Sequence, residues 1–209
     1  MTAGQHHYFD ERPGPGGGPE RVRTVELQGR EVQVRTAAGV FSGDRLDPGT
    51  AVLLRHAAPP APTGHLLDLG CGWGPVALAM AAASPEATVW AVDVNERARE
   101  LTAANARDNG LRNVRVRPPG GVDADVAFAT IWSNPPIRIG KEALHALLLA
   151  WLPRLAPGGR AELVVQRHLG ADSLQRWLEE ALPDLAVDRA ASSKGFRVLE
   201  VVRSGTLSG

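Results

Sequence analysis

The stretch DLGCGWGP at residues 68–75 decides the fold, because it joins a short apolar run to a helical segment. Residues 65–69 predict a strand, and residues 75–83 predict the helix that follows it. Glycines at alternate positions let the backbone pass close to a ligand where a Cβ would collide. In an open α/β sheet, ligands bind at the carboxyl ends of the strands. The stretch therefore predicts a ligand-binding loop.

A dinucleotide-binding loop is the alternative explanation for these glycines. Its fingerprint is G-x-G-x-x-G, but here the third glycine, Gly74, comes one residue too early for that spacing, and Pro75 starts the helix directly. This spacing departs from a pyrophosphate cradle and fits a ligand that lacks phosphate.

Short apolar strands alternate with helical segments from residue 65 onward, which is typical of a parallel doubly wound α/β sheet. Further strands are predicted at residues 88–92, 114–116, 126–132 and 161–166, and helices at residues 96–109, 141–155 and 172–182. We expect Gly110 and residues 157–159 to end the first two of these helices, and Asp172 to cap the third. Residues 185–189 and 197–202 predict a closing antiparallel pair.

The N-terminal part has a different pattern. Two short alternating runs, at residues 22–26 and 31–36, flank a turn at residues 27–30 and predict an antiparallel hairpin. A Pro/Ala linker at residues 57–62 leads into the main domain. We therefore expect an N-terminal extension over residues 1–60 and the main domain over residues 61–209.

Composition limits the possible functions. The 209 residues carry 23 basic and 23 acidic side chains, for a net charge of zero. Because proteins that grip bare phosphate usually show a basic excess, any RNA contact must come from a local arginine patch or from a substrate already assembled with protein. Cys71 is the sole cysteine, so there is no internal disulfide and no cysteine metal cluster. With no apolar run of membrane-spanning length and no secretory signal, a cytoplasmic location is the default expectation.

Two further motifs follow predicted strands. Asp93 follows the strand at residues 88–92, where its carboxylate can accept both hydroxyl protons of a ribose. Asn95 can contact the same sugar or cap the next helix. Residues 133–137 read SNPPI and follow the strand at residues 126–132.

Together, these motifs resemble the class I S-adenosylmethionine (SAM)-dependent methyltransferases, whose amino-methylating branches carry N-P-P at this position. Four shorter segments are similar to the small-subunit ribosomal RNA guanine-N2 methyltransferase C family: GVFS at 39–42, DPGT at 47–50, PIRIGK at 136–141 and KGF at 194–196. The resemblance covers residues 8–202. It implies a seven-stranded, mostly parallel, Rossmann-like sheet with helices on both faces, extended by the N-terminal β-hairpin.

The resemblance also implies a set of cofactor contacts. The residues expected to bind SAM are Asp68, Gly70, Gly72 and Gly74 in the loop, Asp93 and Asn95 after the second strand, and Phe41 and Ser42 as a cover. Relatives usually have an acidic or amide residue after the third strand to hold adenine. This chain has RPPGG at residues 117–121, with Asp123 slightly later, so we expect backbone groups to hold adenine instead.

The acceptor chemistry would depend on Asn134, Pro135 and Pro136. The Asn134 side-chain oxygen and the Pro135 carbonyl can accept the two protons of an amino group, which orients its lone pair at the sulfonium methyl and stabilises the growing charge. Pro136 and Pro135 restrict φ at successive residues and hold that carbonyl in place. The alternative is a plain turn that ends a strand.

Substrate contacts are expected just downstream. Many relatives have an aromatic residue where this chain has Ile137, which can still pack on a base. The aromatic side chains that are candidates either for stacking on the base or for core packing are Trp73, Trp132 and Phe196. Arg138 and Lys141 can meet phosphates beside the target base, or simply form a solvated helix start.

We therefore predict a methyltransferase that transfers methyl from SAM to guanine N2 in ribosomal RNA, with no metal. The expected partner is ribosomal RNA or the assembled small subunit, without a membrane, and a homodimer is a possible state. The alternatives are another planar amino group (adenine N6 or a protein glutamine amide) and a non-catalytic RNA- or ribosome-binding factor that retains the fold.

Overall fold

The computed structural model describes residues 20–37, 40 and 46–205. The elements in this part of the chain are β1 Arg21–Leu27, β2 Arg30–Thr36, α1 Pro48–His56, β3 His65–Leu69, α2 Pro75–Ala83, β4 Thr88–Val92, α3 Glu96–Asp108, β5 Val114–Arg117, β6 Phe128–Ser133, α4 Lys141–Trp151, β7 Leu155–Gln166, α5 Ala171–Ala181, β8 Leu185–Ser193 and β9 Phe196–Arg203. None of the helices described is long and apolar enough to cross a membrane.

The main sheet has seven strands in the order β5-β4-β3-β6-β7-β9-β8. All neighbours pair in parallel except β9, which is antiparallel to both β7 and β8. The chain runs outward from β3 to β5 and then returns to place β6 on the other side of β3. This reversal opens a crevice beyond the carboxyl ends of β3 and β6, where open α/β sheets bind ligands.

Helices cover both faces of this sheet. One apolar core packs α1, α2 and α3 against one face, with Leu53 and Leu101 among its buried side chains. The other core packs α4 and α5 against the opposite face, with Leu148 and Leu178 buried. The predicted fold class is therefore confirmed.

The N-terminal hairpin is also confirmed. β1 and β2 pair antiparallel from Arg21↔Thr36 to Leu27↔Arg30. Gln28 and Gly29 between them have φ angles of 50° and 80°. Two consecutive positive φ values make the type I′ turn that matches the twist of a hairpin.

Asparagine side chains of α3 attach the hairpin to the main domain. Asn105 Oδ1 accepts from the Arg35 backbone N–H at 2.6 Å, and Asn105 Nδ2 donates to the Arg35 carbonyl at 3.0 Å. Asn109 Nδ2 donates to the Gln33 carbonyl at 2.8 Å. The hairpin is thereby held against the outer face of α3.

Three details of the predicted elements were wrong. Helix α1 was not predicted, although Asp47 caps it and Pro48 occupies its first turn. Helix α4 ends at Trp151 rather than residue 155, because Pro153 has no N–H to continue the α-helical pattern and forms a 3₁₀ turn instead. Residues 157–159 then lie inside strand β7 rather than ending a helix.

The predicted cap of α5 was also wrong. Helix α5 begins at Ala171 after Gly170, whose φ of 100° is left-handed, and no side chain caps it. Asp172 lies inside the first turn, and its carboxylate pairs with Arg189 at 3.2 Å and with Arg197. This carboxylate therefore ties α5 to β8 and β9. The division into two domains at residue 60 stays a prediction.

Candidate active site

A cleft lies at the carboxyl ends of β3 and β6, where the strand order reverses. Its lining residues come from three separate parts of the chain, namely Asp47 and Thr50 at the start of α1, Asp68, Gly70, Cys71, Gly72, Trp73, Pro75 and Val76 around the glycine loop, and Asn134 after β6. The structure therefore places the predicted cofactor loop and the predicted acceptor motif in the same cleft.

The three loop glycines have different roles. Gly70 and Gly72 have φ angles of 83° and 57°, and a Cβ built at either one meets no atom within 4 Å. Their open side leaves room for a ligand against the backbone. Gly74 has a φ of 98°, and a Cβ there would lie 3.0 Å from Thr102. Its lack of a side chain therefore serves the packing of the loop on α3.

A buried carboxyl group accepts a hydrogen bond from the first turn of α2. Asp68 is 1% exposed, and its Oδ2 accepts from the Ala77 N–H at 2.8 Å. Burial raises the pKa of Asp68 to about 8, and the nearby Asp93 also raises it, while the Ala77 hydrogen bond lowers it. The helix N-terminus, which would otherwise suit an anion, is already satisfied by this carboxyl group.

Asp93, directly after β4, is hydrogen-bonded to the glycine loop. Its Oδ2 accepts from the Gly72 N–H at 2.9 Å, and its Oδ1 accepts from the Asn95 N–H at 2.8 Å. Burial raises the pKa of Asp93, against these hydrogen bonds. A carboxylate has about four acceptor positions, so two remain for ribose hydroxyls.

The first turn of α2 is not free to hold a phosphate. In a dinucleotide-binding loop the pyrophosphate lies at this helix N-terminus, but here Asp68 already accepts from the Ala77 N–H. Gly74 also comes one residue too early for the G-x-G-x-x-G spacing. The arrangement therefore departs from a dinucleotide site.

Asn95 caps helix α3. Its Oδ1 accepts from the backbone N–H groups of Arg97 at 2.9 Å and Ala98 at 3.3 Å. Of the two roles considered for this residue, the structure therefore shows helix capping.

The Asn-Pro-Pro motif forms a tight corner. The buried Ser133 hydroxyl donates to the Leu69 carbonyl at 2.7 Å, which joins the end of β6 to the end of β3. Pro136 has φ −74° and ψ 77°, and the Ile137 N–H donates to the Pro135 carbonyl at 2.8 Å. These are the features of an inverse γ-turn. One lone pair of the Pro135 carbonyl is thus used within the turn.

Asn134 is held by partners that the sequence did not indicate. Its Nδ2 donates to Asp47 Oδ2 at 2.7 Å and to Thr50 Oγ1 at 3.1 Å. Within the described part of the chain, its Oδ1 makes no hydrogen bond and can accept one from a substrate. Asp47 and Thr50 lie 87 and 84 residues away in sequence, and their membership in the segment at residues 47–50 was their only signal.

One of the three candidate aromatic residues lies at this corner. Trp73 and Trp132 are 2% and 0% exposed and belong to the core, so neither side chain is free to stack on a base. Phe196 is half-buried at the start of β9. A Cβ built at Gly49 would lie 3.0 Å from Phe196 Cε1 and 3.3 Å from Asn134 Nδ2. The Phe196 ring and the Asn134 amide therefore both lie beside Gly49.

The remaining predicted residues are less informative. Phe41 and Ser42, and the side chain of Arg138, lie outside the described part of the structure. Ile137 is half-buried against the core that contains α4 and α5, and Lys141 is exposed at the start of α4. Asp123 is also exposed. Among the described residues, no group of three or more His, Cys, Asp or Glu side chains has the arrangement of a metal site.

The sheet order, the glycine loop and the Asn-Pro-Pro corner are together the features of a class I methyltransferase. A family model agrees with this. The chain belongs to the methyltransferase small domain family, whose model matches residues 31–200. The predicted family and its cofactor, S-adenosylmethionine, are thereby confirmed.

Individual relatives support the same family. The chain is 33% identical over 197 residues to the Bacillus subtilis (strain 168) protein YbxB, covering 93% of this chain and 96% of that protein. It is 35% identical over 161 residues to the ribosomal RNA small subunit methyltransferase C of Pseudomonas aeruginosa (strain LESB58), covering 70% of this chain but 48% of that protein. The chain thus spans about half the length of the methyltransferase C relatives.

A solved structure shares the fold. The T. thermophilus 16S rRNA N2 G1207 methyltransferase, solved in complex with AdoMet and guanosine, superposes with a TM-score of 0.72. The match covers 91% of this chain and 52% of that one at 24% identity. At that identity, the likeness supports the fold.

Proposed function

We propose that this protein transfers a methyl group from S-adenosylmethionine to the exocyclic N2 of a guanine in ribosomal RNA. The observation that carries the proposal is the position of Asn134. Its Nδ2 is held by Asp47 and Thr50, and it lines the same cleft as Gly70 and Gly72.

On the donor side, the open backbone of Gly70 and Gly72 would border the methionine part of the cofactor, and Asp93 would accept from its ribose hydroxyls. Bound S-adenosylmethionine supplies an activated sulfonium methyl.

On the acceptor side, an exocyclic amino group is a poor nucleophile because its lone pair is delocalised into the ring. Asn134 Oδ1 and the Pro135 carbonyl accept its two protons, which turns the lone pair toward the methyl carbon and stabilises the positive charge that develops on nitrogen. The N–C bond forms as the S–C bond breaks with its electron pair on sulfur. The methylated nitrogen then loses one proton to solvent.

The names of the relatives support guanine in ribosomal RNA as the acceptor. Several curated relatives are named as small-subunit ribosomal RNA methyltransferases, and the name of the T. thermophilus protein specifies N2 of a guanine in 16S rRNA. Because the chain is neutral, we further propose that it acts on RNA assembled with ribosomal protein, or as a homodimer. Either arrangement would supply contacts to RNA beyond those of a single neutral chain.

The test offers SAM with a labelled methyl group, in parallel, to intact small subunits, naked ribosomal RNA, tRNA and a release factor. We expect label in ribosomal RNA, recovered as N2-methylguanosine after digestion, and no label with the N134A variant. Label that appears only in protein, or only on adenine, would overturn the guanine assignment. Absence of label in every arm, with SAM bound normally, would favour a non-catalytic factor.

A further inference from the structure

We infer that Asp47 and Thr50 are positioning residues that fix the orientation of the Asn134 amide. This inference rests on the proposed function, because it explains how Asn134 presents its oxygen rather than its nitrogen to an amino group. Neither residue is placed to touch the reacting atoms through this contact; both act through Asn134.

The first step is the chemistry of the amide. An asparagine side chain has one acceptor atom and one two-proton donor, and a rotation of 180° about its last bond exchanges them. An ionised Asp47 carboxylate is an acceptor only. It lies 2.7 Å from Asn134 Nδ2, and the Thr50 hydroxyl accepts from the same nitrogen at 3.1 Å. The exchanged orientation would bring Asn134 Oδ1 against a carboxylate oxygen, which is repulsive.

The second step is the rigidity of the partners. Asp47 is the N-cap of α1, and the same Oδ2 also accepts from the Thr50 backbone N–H at 2.9 Å. Thr50 is 4% exposed. A side chain at Gly49 would meet Asp47 Oδ2 at 2.9 Å and Asn134 Nδ2 at 3.3 Å. The start of α1 therefore packs directly on the amide and holds it in one orientation.

Substitutions at the two partners test this inference. We expect T50V and D47N each to lower kcat about 5- to 10-fold with SAM affinity unchanged, because the amide then samples the wrong orientation. T50S retains the hydroxyl and should recover most of the lost turnover. Equal losses for T50S and T50V would contradict a role for the hydroxyl, and unchanged kcat in both T50V and D47N would overturn the inference.

An exchange of the two side chains is a sharper test, since a purely structural role would not change a pH profile. N134D places a second carboxyl group against Asp47, so turnover should fall as pH rises and the shared proton is lost. In the double variant D47N/N134D, the amide at position 47 again donates to the side chain at position 134, which is now the carboxylate. Its turnover should be higher than that of N134D and should not fall as pH rises. If the loss of kcat in the double variant equals the product of the losses in D47N and N134D, the two side chains are not coupled and the inference is refuted.

The controls separate this inference from the proposed function. If wild-type protein methylates no acceptor, or if N134A is as active as wild type, the proposed function fails. If N134A is inactive but the exchange shows no coupling, only the role of Asp47 fails.

A different observation carries a second inference. We propose that a groove along the exposed β5 edge of the sheet binds the phosphate backbone of the RNA substrate. Four of its ten lining residues are arginines, Arg107, Arg112, Arg115 and Arg117, and none is acidic. All four are exposed. This inference also depends on RNA being the substrate.

Charge and geometry both favour phosphate as the occupant. The chain as a whole is neutral, so four arginines around this edge form a local basic surface. Arg107 belongs to α3, whereas Arg115 and Arg117 pair in register with Trp90 and Val92 and project from the other face of the sheet. Arg107 lies 4.0 Å from Asp108, which partly offsets its charge. Arg115 stacks over the Trp90 ring with its guanidinium carbon 5.8 Å from the centroid. Guanidinium groups bind phosphate through paired N–H donors.

The test compares two charge-matched triple variants. R112Q/R115Q/R117Q removes three groove arginines, and R30Q/R55Q/R176Q removes three exposed arginines elsewhere. We expect the groove variant to bind ribosomal RNA at least about 10-fold more weakly, with a salt-dependence slope lower by about 2 in magnitude. The control variant should bind as wild type does, and SAM affinity should not change in either.

Two results would overturn the groove assignment. The first is equal RNA affinity in the two variants. The second is self-association of the groove variant with unchanged RNA affinity, because the arginines would then serve to protect the exposed edge strand from pairing with another copy. If the triple variant does not fold, R112Q alone, in the loop before β5, tests the same point through the salt dependence. Wild-type protein that binds neither naked ribosomal RNA nor the assembled small subunit would instead remove the proposed function.

Discussion

The donor side and the acceptor side of the cleft are built in different ways. The donor side lies within one β-α-β unit, where the carboxyl groups of Asp68 and Asp93 accept hydrogen bonds from backbone N–H groups of α2 and the glycine loop. The acceptor side brings together Asn134, the Asp47 cap of α1 and Phe196 from three distant parts of the chain. Local sequence therefore specifies the cofactor side, whereas tertiary packing specifies the acceptor side.

The largest expected effect separates these two sides directly. N134A removes an acceptor that acts only while charge develops on the substrate nitrogen, so kcat should fall by ~10²-fold or more. SAM affinity, measured by calorimetry, should stay within about twofold of wild type. N109A, which removes an amide between the hairpin and α3, serves as the control and should leave kcat unchanged. A similar loss of SAM affinity in N134A would show that the two sides are not separable.

The reverse experiment targets the donor side. D93A removes the acceptor of the Gly72 N–H and the proposed acceptor of the ribose hydroxyls. Hydrogen bonds to charged groups contribute about 1.5–3 kcal/mol, so SAM affinity should weaken about 10- to 100-fold in a direct binding titration. At saturating SAM, kcat should change much less. Unchanged affinity would contradict the cofactor assignment.

The same contrast explains what the sequence could predict. The glycine loop, Pro75 at the start of α2 and the type I′ turn at Gln28 and Gly29 follow from local rules of spacing and φ. The contact between Asn134 and Asp47 does not, because no periodicity links residues 87 positions apart.

Helix α1 could have been predicted from local sequence but was not. Its N-cap Asp47 and the Pro48 that follows are a local signal for a helix start. The cap predicted at Asp172 failed for a tertiary reason: its carboxylate is drawn to Arg189 and Arg197 on neighbouring strands. Which of the three aromatic side chains is accessible to a base was also beyond sequence reasoning, because burial alone distinguishes Phe196 from Trp73 and Trp132.

A smaller effect tests how tightly the acceptor side is packed. G49A places a methyl group 2.9 Å from Asp47 Oδ2, 3.0 Å from Phe196 Cε1 and 3.3 Å from Asn134 Nδ2. Overpacking of this kind costs roughly 1–3 kcal/mol in the free energy of unfolding, and kcat should fall with it.

The matched control is G120A, since a Cβ at Gly120 meets nothing within 4 Å. Denaturant titrations of the two variants compare the costs. If G49A were as stable and as active as G120A, the close packing around Asn134 would be disproved.

The smallest effect is a pH dependence of stability on the donor side. Because the pKa of Asp68 is raised to about 8 in the folded state, the unfolded chain loses this proton first. Its contribution to stability is fully present below about pH 4 and falls progressively as pH rises to about 8. Glu162, buried on β7 with a pKa raised to about 7, contributes with the same sign, but over a window that closes near pH 7.

Because Glu162 still holds part of its proton at pH 7, the test of Asp68 is made in the E162Q variant. Its unfolding free energy should fall by about 1 kcal/mol between pH 7 and pH 8, and the fall should largely disappear in the double variant D68N/E162Q. A slope that persists in the double variant would assign the titration to another group.

The most direct test of the central claim is a crystal structure of the protein with guanosine and sinefungin, an analogue that carries an amine in place of the sulfonium methyl. We predict that the analogue lies along Gly70 and Gly72, and that guanosine N2 lies about 3 Å from Asn134 Oδ1, facing the amine. A structure in which the guanine lies outside the cleft, or in which Asn134 turns its nitrogen toward N2, would contradict the account.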